Sequence, residues 1–311
     1  MQRSLSDYVI ITLKGIVMGA ADVVPGVSGG TIAFISGIYE ELITAINNIN
    51  LSAWKLLKAR KFSMFWKHIN GNFLSALVFG IFLSVISLAK GIKWLLEHQP
   101  VLLWSFFFGL VLSSVVFVAK AITKWNLITV LFLLLSSIVA YYITTLPPLQ
   151  HTENFMFLFL SGALAICAMI LPGISGAFIL VLLGAYQTIL SAIDERNFKI
   201  IGITALGAVF GLLSFSRLLK WLFVHYKNAT LALLTGFIIG SLNKIWPWKK
   251  TISWYVASGG EQMPLLQKSI MPFQYAEEHQ LLWAILLSFI GFLMIFLLEK
   301  LAVKKTGYVH D

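Results

Sequence analysis

The chain has 311 residues, of which 59% are hydrophobic and 12% are charged, and its formal net charge is +10. Soluble domains contain about half apolar and about a quarter charged residues, so this composition argues against a soluble globular enzyme and indicates a membrane protein. The single cysteine, Cys167, excludes a disulfide framework and a cysteine-rich metal site. We expect no metal ion and no other cofactor.

The positive charge is explained by the membrane setting. On a soluble protein a charge of +10 would suggest nucleic acid as a partner. Here it fits basic loops on the cytoplasmic face, and it is compatible with attraction for anionic membrane lipids. We therefore expect membrane lipids, and no nucleic acid, as partners.

The N-terminus partly resembles a cleaved signal peptide, since Arg3 precedes an apolar run and Gly19-Ala20-Ala21. Lys14 interrupts that run, and the stretch continues directly into a motif that recurs later. We therefore expect it to be part of the fold.

Three kinds of segment are predicted in the first half of the chain, residues 1–146. It begins with a hairpin over 8–46, whose arms run over 8–24 and 28–46. An insert over 51–69 mixes Lys, Arg, Trp and Phe at helical spacing. This pattern predicts an amphipathic helix on the cytoplasmic membrane surface, with a solvated basic loop as the alternative. Apolar blocks then predict spans at 72–92, 101–119 and 126–146.

The second half, residues 155–305, has the same order of segments without the insert. Its hairpin covers 155–193, with arms at 155–171 and 175–193. Three spans follow, at 199–218, 229–245 and 280–298. The longest polar connection, 246–280, is predicted to be an extracytoplasmic loop.

The two halves repeat each other. GIVMGAADVVPGVSGGTIAFISGIYEELITAI from Gly15 aligns without a gap with GALAICAMILPGISGAFILVLLGAYQTILSAI from Gly162. GIFLSVISLAKGIKWLLEH from Gly80 aligns with GAVFGLLSFSRLLKWLFVH from Gly207. A hairpin returns the chain to its starting side whether its arms are re-entrant or fully spanning. Three further spans are an odd number, so the second half begins on the opposite side of the membrane from the first.

The pattern therefore predicts an all-α integral membrane protein with an inverted-topology repeat. Each half would be a Pro-Gly-broken, re-entrant hairpin plus three transmembrane helices, an architecture typical of secondary transporters.

Charge orients the chain. When the N-terminus is placed inside, Lys and Arg predominate on the inner face, most clearly in the insert and near the C-terminus. The positive-inside rule then predicts cytoplasmic N- and C-termini.

A Pro-Gly motif interrupts each hairpin, as PGVSGG in the first half and PGISG in the second. Proline stops a helix, glycine permits backbone angles barred to other residues, and serine is a natural N-cap for the helix that follows. The candidate site residues of the two motifs are Pro25, Gly26, Ser28, Gly29, Gly30, Thr31, Pro172, Gly173, Ser175 and Gly176.

Broken helices at membrane depth expose backbone groups, which persist only against protein or a wet cavity. Because the N-termini of helices bind anions, we expect the two motifs to meet near the midplane and hold an anionic headgroup. Structural breaks or close helix packing at small residues are the alternative.

Three acidic residues lie in apolar surroundings, where ionisable groups are costly and usually functional. Asp22 precedes the first motif and aligns with Met169, which suits a proton or sodium site in one half only. Glu40 and Glu41 are further coupling candidates, for which an interfacial position is the alternative.

Two basic pairs occupy matched positions, Lys90 with Lys93 and Arg217 with Lys220. The repeat places them near opposite faces, where they would capture a lipid phosphate. The alternative is snorkelling of ordinary helix-end cations to the membrane surface.

The run MGAADVVPGVSGGTIAFISGIYEEL (Met18–Leu42), with PGISG and Gly184-Ala185-Tyr186, resembles the bacterial polyprenyl-phosphate transporter family. The resemblance extends over nearly the whole chain and includes the Gly-x-Tyr pairs that contain Tyr39 and Tyr186. It implies a multi-pass protein of the bacterial plasma (inner) membrane. It also implies translocation of undecaprenyl phosphate, or a related polyprenyl phosphate, from the outer to the inner leaflet for carrier recycling in cell-envelope synthesis.

Two other functions are alternatives to this one. A transporter or channel for a small soluble anion would use the same helix N-termini without an opening toward lipid. A lipid phosphatase is disfavoured, because no cluster of His, Arg and Asp accompanies an activated nucleophile. We therefore expect the protein not to be an enzyme.

Overall fold

The computed structural model describes residues 3–24, 27–149, 154–256, 262–276 and 278–306. The helices that precede residue 150 are α1 (Leu5–Val23), α2 (Gly29–Ile35), α3 (Tyr39–Asn47), α4 (Leu51–Lys58), α5 (Phe62–His68), α6 (Gly71–His98), α7 (Pro100–Lys120) and α8 (Leu127–Thr145). Those that follow are α9 (Phe155–Ile170), α10 (Gly176–Leu182), α11 (Tyr186–Asp194), α12 (Phe198–His225), α13 (Lys227–Ser241) and α14 (Leu281–Thr306). Between α13 and α14 lie two antiparallel strands, β1 (Lys249–Val256) and β2 (Gln262–Ser269), and two short 3-10 turns, Leu242–Ile245 and Pro272–Gln274.

The chain is a multi-pass helical membrane protein. Within the described ranges, four helices are long and apolar enough to cross a bilayer: α6, α7, α8 and α12. The pair α10 and α11, bent by 107° at its break, would be a fifth span if it is counted as one. Of the six predicted spans, the two remaining ones correspond to α13, which has 15 residues, and to α14, which has 26 residues.

Paired glycines bring the long helices into close contact. A Cβ atom on Gly15 would clash with the carbonyl of Leu77, and one on Gly80 with the carbonyl of Thr12, where α1 crosses α6. Gly162 and Gly207, which align with Gly15 and Gly80 in the sequence, make the same kind of contact where α9 crosses α12. Small residues at these crossings let the helix backbones approach closely, which is how helices associate in lipid.

The remaining long helices pack as two further pairs, α7 with α14 and α8 with α13. Gly109 lies against Ser288 in the first pair, and its aligned partner Gly236 lies against Leu133 and Ser136 in the second. The main core forms where α1, α2 and α3 meet α6, α7 and α13. The first broken hairpin is therefore buried in the centre of the protein.

The structure divides each second hairpin arm into two short helices where the sequence analysis had treated it as one. Gly37 and Gly184 adopt positive φ angles of 72° and 68° and end α2 and α10. The next residue in each case bonds back into the helix, at 3.0 Å from the Ile38 nitrogen to the Ala33 oxygen and at 2.9 Å from the Ala185 nitrogen to the Leu180 oxygen. These are Schellman caps, which require the left-handed angles that glycine adopts freely. The Gly-x-Tyr pairs are therefore the corners of the hairpins.

The insert over 51–69 also differs from the prediction of one amphipathic helix. It forms α4 and α5, separated at Arg60, whose φ is 54°. No glycine marks this break, so nothing local in the sequence indicated it. Trp54, Phe62 and Trp66 are exposed on its surface. Its position on the cytoplasmic membrane surface stays a prediction.

The long polar segment after α13 is folded rather than an irregular loop. β1 contains β-branched and aromatic residues in the run TISWYV, a composition that favours strands. It pairs with β2, and the indole nitrogen of Trp246 donates to the carbonyl of Ile270 at 2.9 Å, which closes the base of the hairpin.

We predict that Gly37→Ala lowers the free energy of unfolding by about 1 to 2 kcal/mol, the cost of a left-handed angle for an L-residue. An added Cβ at Gly37 meets nothing within 4 Å, so the backbone angle alone sets this cost. Gly202→Ala in α12 is the matched control, because its Cβ is equally free but its φ is not positive. We expect the control to be neutral or stabilising by up to about 1 kcal/mol. Unfolding in detergent, followed by tryptophan fluorescence, measures the stability of both variants. Equal losses of stability in Gly37→Ala and Gly202→Ala would contradict the Schellman cap at Gly37.

Candidate functional site

The two Pro-Gly motifs meet in the structure. The Ser28 hydroxyl donates to the Met169 carbonyl at 2.8 Å, and the Tyr39 hydroxyl donates to the Ile170 carbonyl at 3.1 Å. In the other direction, the Gly173 amide donates to the Thr31 hydroxyl at 2.9 Å. The last carbonyls of a helix lack partners within that helix, so hydroxyls of the first half complete the end of α9.

The contact between the motifs depends on glycine. A Cβ on Gly30 would lie 2.6 Å from the Ile170 oxygen and 2.8 Å from the Met169 oxygen. Gly173 has a φ of 96°, and its Cβ would lie 2.6 Å from the Ser241 hydroxyl in α13. A side chain at Gly30 would push the two halves apart, whereas one at Gly173 would push the turn before α10 away from α13. We call this set of cross-half contacts, made by residues 28–39 with residues 169–173, the junction.

At the first motif, an internal carboxylate occupies the start of the restarted helix. The Gly29 amide donates to Asp22 at 2.7 Å, and the Gly30 amide donates to the Ser28 hydroxyl at 3.1 Å. Ser28 is thus the N-cap of α2, as its sequence position indicated. Asp22 places negative charge at the positive end of the α2 dipole, where the sequence analysis had expected a bound anion.

The second motif lacks these partners. Met169 stands where the first half has Asp22, and the Ser175 side chain does not cap α10. Among the described residues, no acceptor is bonded to the amides of Gly176 and Ala177. Ala177 is exposed, whereas nearly all of α2 is buried. The start of α10 therefore differs from the start of α2, because the described residues supply it with no internal acceptor.

The other motif residues are placed as follows. Pro25 and Gly26 lie outside the described residues. Pro172 is buried at the turn before α10. Tyr186 begins α11 and is half-buried, and the described part of the chain shows no bond from it that matches the one from Tyr39 to Ile170.

Glu40 and Glu41 lie at the start of α3 in ion pairs. Glu41 makes a two-fold contact with Arg3, at 2.6 Å for each oxygen, and also accepts from Asn70 at 2.7 Å. The hydrogen bond with Glu41 raises the pKa of Arg3. Glu40 pairs with Lys227 at 3.0 Å, and both side chains are more than half exposed. These contacts favour the interfacial alternative for both glutamates.

The predicted basic pairs do not join the junction. Lys90 and Arg217 are exposed and Lys220 is half-buried. No hydrogen bond or ion pair connects these three side chains to the motifs within the part of the chain that the structure describes. The side chain of Lys93 lies outside the described residues.

One residue of the site was not identified from the sequence. Lys14 donates to the Ser36 carbonyl at 2.5 Å, at the C-terminal end of α2. A cation there satisfies a free carbonyl and complements the helix dipole. The sequence showed only that Lys14 interrupts an apolar run.

Comparisons with a family model and with two relatives indicate the same family. Residues 18–263 match the family described as VCA0040-like, undecaprenyl phosphate translocase-like. A relative from Vibrio cholerae, named polyprenyl-phosphate transporter, is 49% identical over 98% of this chain and its own full length. A relative of the same name from Staphylococcus aureus is 32% identical over 79% of this chain and 89% of its own. No solved structure matches the chain.

We predict that Thr31→Val destabilises the protein by about 1 to 3 kcal/mol, because it leaves the Gly173 amide buried without an acceptor. Thr230→Val is the matched control. Thr230 is also buried, but its hydroxyl bonds only to the Tyr226 carbonyl, which still accepts from the Thr230 amide. The control should cost clearly less. The difference between the free energies of unfolding of the two variants measures the contribution of the bond between Gly173 and Thr31. Similar losses of stability in both variants would show that this bond contributes no more than a bond within one helix.

Proposed function

Since the chain belongs to the undecaprenyl phosphate translocase-like family, we propose that it transports undecaprenyl phosphate, or a related polyprenyl phosphate, across the bacterial plasma membrane. Net movement is from the outer to the inner leaflet, and it returns the carrier to cell-envelope synthesis without chemical conversion. The N- and C-termini are cytoplasmic. The observation that supports the proposal is the junction, which joins the start of α2 to the end of α9 and to the turn before α10.

The phosphate is the part of the substrate that needs a protein path. A prenyl tail can remain in lipid, whereas a charged group in hydrocarbon costs several kcal/mol. We place the phosphate first at the start of α10, where Ser175 and Gly176 present a hydroxyl and an amide, and the Gly173 amide joins them once its bond to Thr31 breaks. Backbone amides and hydroxyls there replace the water that the phosphate loses.

The first motif binds the phosphate when the junction opens. Opening breaks the bonds from Ser28 to Met169 and from Gly173 to Thr31, which frees both hydroxyls for the phosphate. The inverted repeat supplies the motion, since rocking of one repeat against the other alternates access to a central site. The equivalent helix pairs α1–α6 and α9–α12 support rigid repeats, and the difference in burial between α2 and α10 supports access from one side at a time.

Asp22 is placed to couple this cycle to protons or sodium. Its carboxylate competes with the phosphate, because both bind amides at a helix start. A proton or a sodium ion on Asp22 weakens that internal contact and lets the phosphate replace it. The second half has Met169 at this position, so the coupling acts in one half only.

A transporter or channel for a small soluble anion is the second candidate. The same amides at the start of α10 would serve such an ion, and no lateral opening would be needed. The two curated relatives are both named for a polyprenyl phosphate, which favours the lipid.

We expect Ser175→Trp to abolish protein-dependent translocation of labelled undecaprenyl phosphate in proteoliposomes, because the indole fills the start of α10. Ser214→Trp is the matched control. Ser214 is exposed on α12 and its hydroxyl bonds only within that helix, so this variant should translocate normally. Both variants are first checked for monodisperse elution and a normal unfolding temperature.

Absence of lipid translocation by the wild type, together with uptake of a small anion, would establish the second candidate instead. Normal translocation by Ser175→Trp would contradict the placement of the phosphate at the start of α10.

A further prediction concerns coupling. We expect an imposed proton or sodium gradient to accelerate translocation by the wild type, and Asp22→Asn to retain a basal rate without that acceleration. Glu40→Gln, which removes an exposed ion pair, should respond to gradients as the wild type does. A gradient response in Asp22→Asn equal to that of the wild type would exclude Asp22 as the coupling group.

A further inference from the structure

Two lysines outside the junction lie together beyond the end of α13. Lys244 belongs to the 3-10 turn Leu242–Ile245, and Lys249 begins β1. Neither lysine is among the candidate site residues that the sequence indicates. At the aligned positions of the first half stand Phe117 and Ile122, so only one half has this pair.

The ammonium group of Lys249 is buried. Its Nζ makes no hydrogen bond among the described residues and lies 3.4 Å from the centroid of the Trp104 ring, in α7. Burial lowers the pKa of Lys249 well below its ordinary value, and the charge of Lys244 lowers it further. Burial therefore disfavours the charged form of Lys249, and an anion bound at its Nζ would offset that cost and stabilise the charge.

Lys244 connects this position to the second motif. Its Nζ lies 4.3 Å from the centroid of the Phe178 ring, and Phe178 is in the first turn of α10. Within the described ranges, neither lysine pairs with a carboxylate. The two ammonium groups are near enough for the charge of Lys244 to act on Lys249, and each Nζ lies over an aromatic ring.

An apolar cavity of about 340 Å³ lies beside the segment that joins the two lysines. Trp246, Pro247 and Trp248, which link Lys244 to Lys249 in the sequence, form one wall of it. Residues of α7 and α14, including Phe108 and Phe289, form the other walls. A paired cationic site beside an apolar space fits an anionic head with a hydrocarbon tail better than it fits a fully hydrated ion.

We propose that Lys244 and Lys249 form a receiving site for the phosphate monoester of a polyprenyl lipid, at the predicted extracytoplasmic end of α13. The two ammonium groups bind the phosphate oxygens, and the first prenyl units occupy the cavity beside Trp246 and Trp248. The substrate passes from there along Phe178 to the start of α10. This inference rests on the proposed function, and it assigns the capture step to one membrane face because the first half lacks the pair.

The test compares two double variants of the full chain. Lys244→Gln with Lys249→Gln removes the site. Lys250→Gln with Lys268→Gln is the matched control, because it removes two exposed lysines that face each other across the same hairpin. Binding of undecaprenyl phosphate, undecaprenol and inorganic phosphate to each protein in nanodiscs is followed by tryptophan fluorescence, since Trp104 lies against Lys249.

We expect the wild type and the control to bind undecaprenyl phosphate equally, and the site variant to bind it at least about tenfold more weakly, as the loss of charge-assisted bonds implies. Undecaprenol and inorganic phosphate should bind weakly to all three proteins. If the site variant does not fold, the pair Lys244→Arg and Lys249→Arg, which keeps both charges, is compared with the single variant Lys244→Gln. Only the single variant should then lose affinity.

The outcomes separate this inference from the proposed function. Equal binding by the site variant and the control, with normal translocation by the wild type, would overturn the receiving site alone. Lysine-dependent binding of inorganic phosphate as tight as that of the lipid would assign the site to free phosphate and overturn its lipid part. A wild type that neither binds nor translocates undecaprenyl phosphate would overturn the proposed function as well.

Discussion

Backbone polar groups that hydrocarbon cannot hydrate constrain the whole structure. A helix that breaks inside a membrane leaves carbonyls and amides that must find partners within the protein. Here the break in the second half is completed by the first half: Ser28 and Tyr39 supply hydroxyls to the end of α9, and Thr31 accepts from Gly173. The close approach that these bonds need is possible only because Gly30 carries no side chain. The contacts of the junction therefore hold the two halves together and also form the candidate site.

The two halves share a pattern but differ where it matters for chemistry. Asp22 satisfies the start of α2 from within, whereas Met169 leaves the start of α10 without a carboxylate. The lysines at 244 and 249 are likewise present in one half only. A symmetric protein would bind the substrate equally from both faces. Under the proposed function, these one-sided differences would give the substrate different affinities at the two membrane faces.

Regular, local features were predictable from the sequence. The apolar blocks located the long helices to within a few residues at most ends, and the Pro-Gly breaks and Ser28 gave the start of α2. The corners at Gly37 and Gly184 were missed, because a Schellman cap resembles a helix interior unless the glycine angle is considered. The break at Arg60 has no local marker. The contacts of Lys14 with Ser36 and of Lys244 with Phe178 join residues far apart in sequence, and an apolar pattern carries no information about them.

The reach of the junction along the chain has a consequence for biogenesis. Ser28 and Met169 are 141 residues apart, so the first hairpin leaves the ribosome and enters the membrane long before its partner exists. Until α9 has been inserted, Ser28, Thr31 and Tyr39 face lipid or water with their bonds unmade. A nascent chain cut short before residue 169 is therefore an incomplete polar surface within the bilayer, of the kind that membrane quality control removes. Completion of the second half is what converts an inserted polypeptide into a folded one.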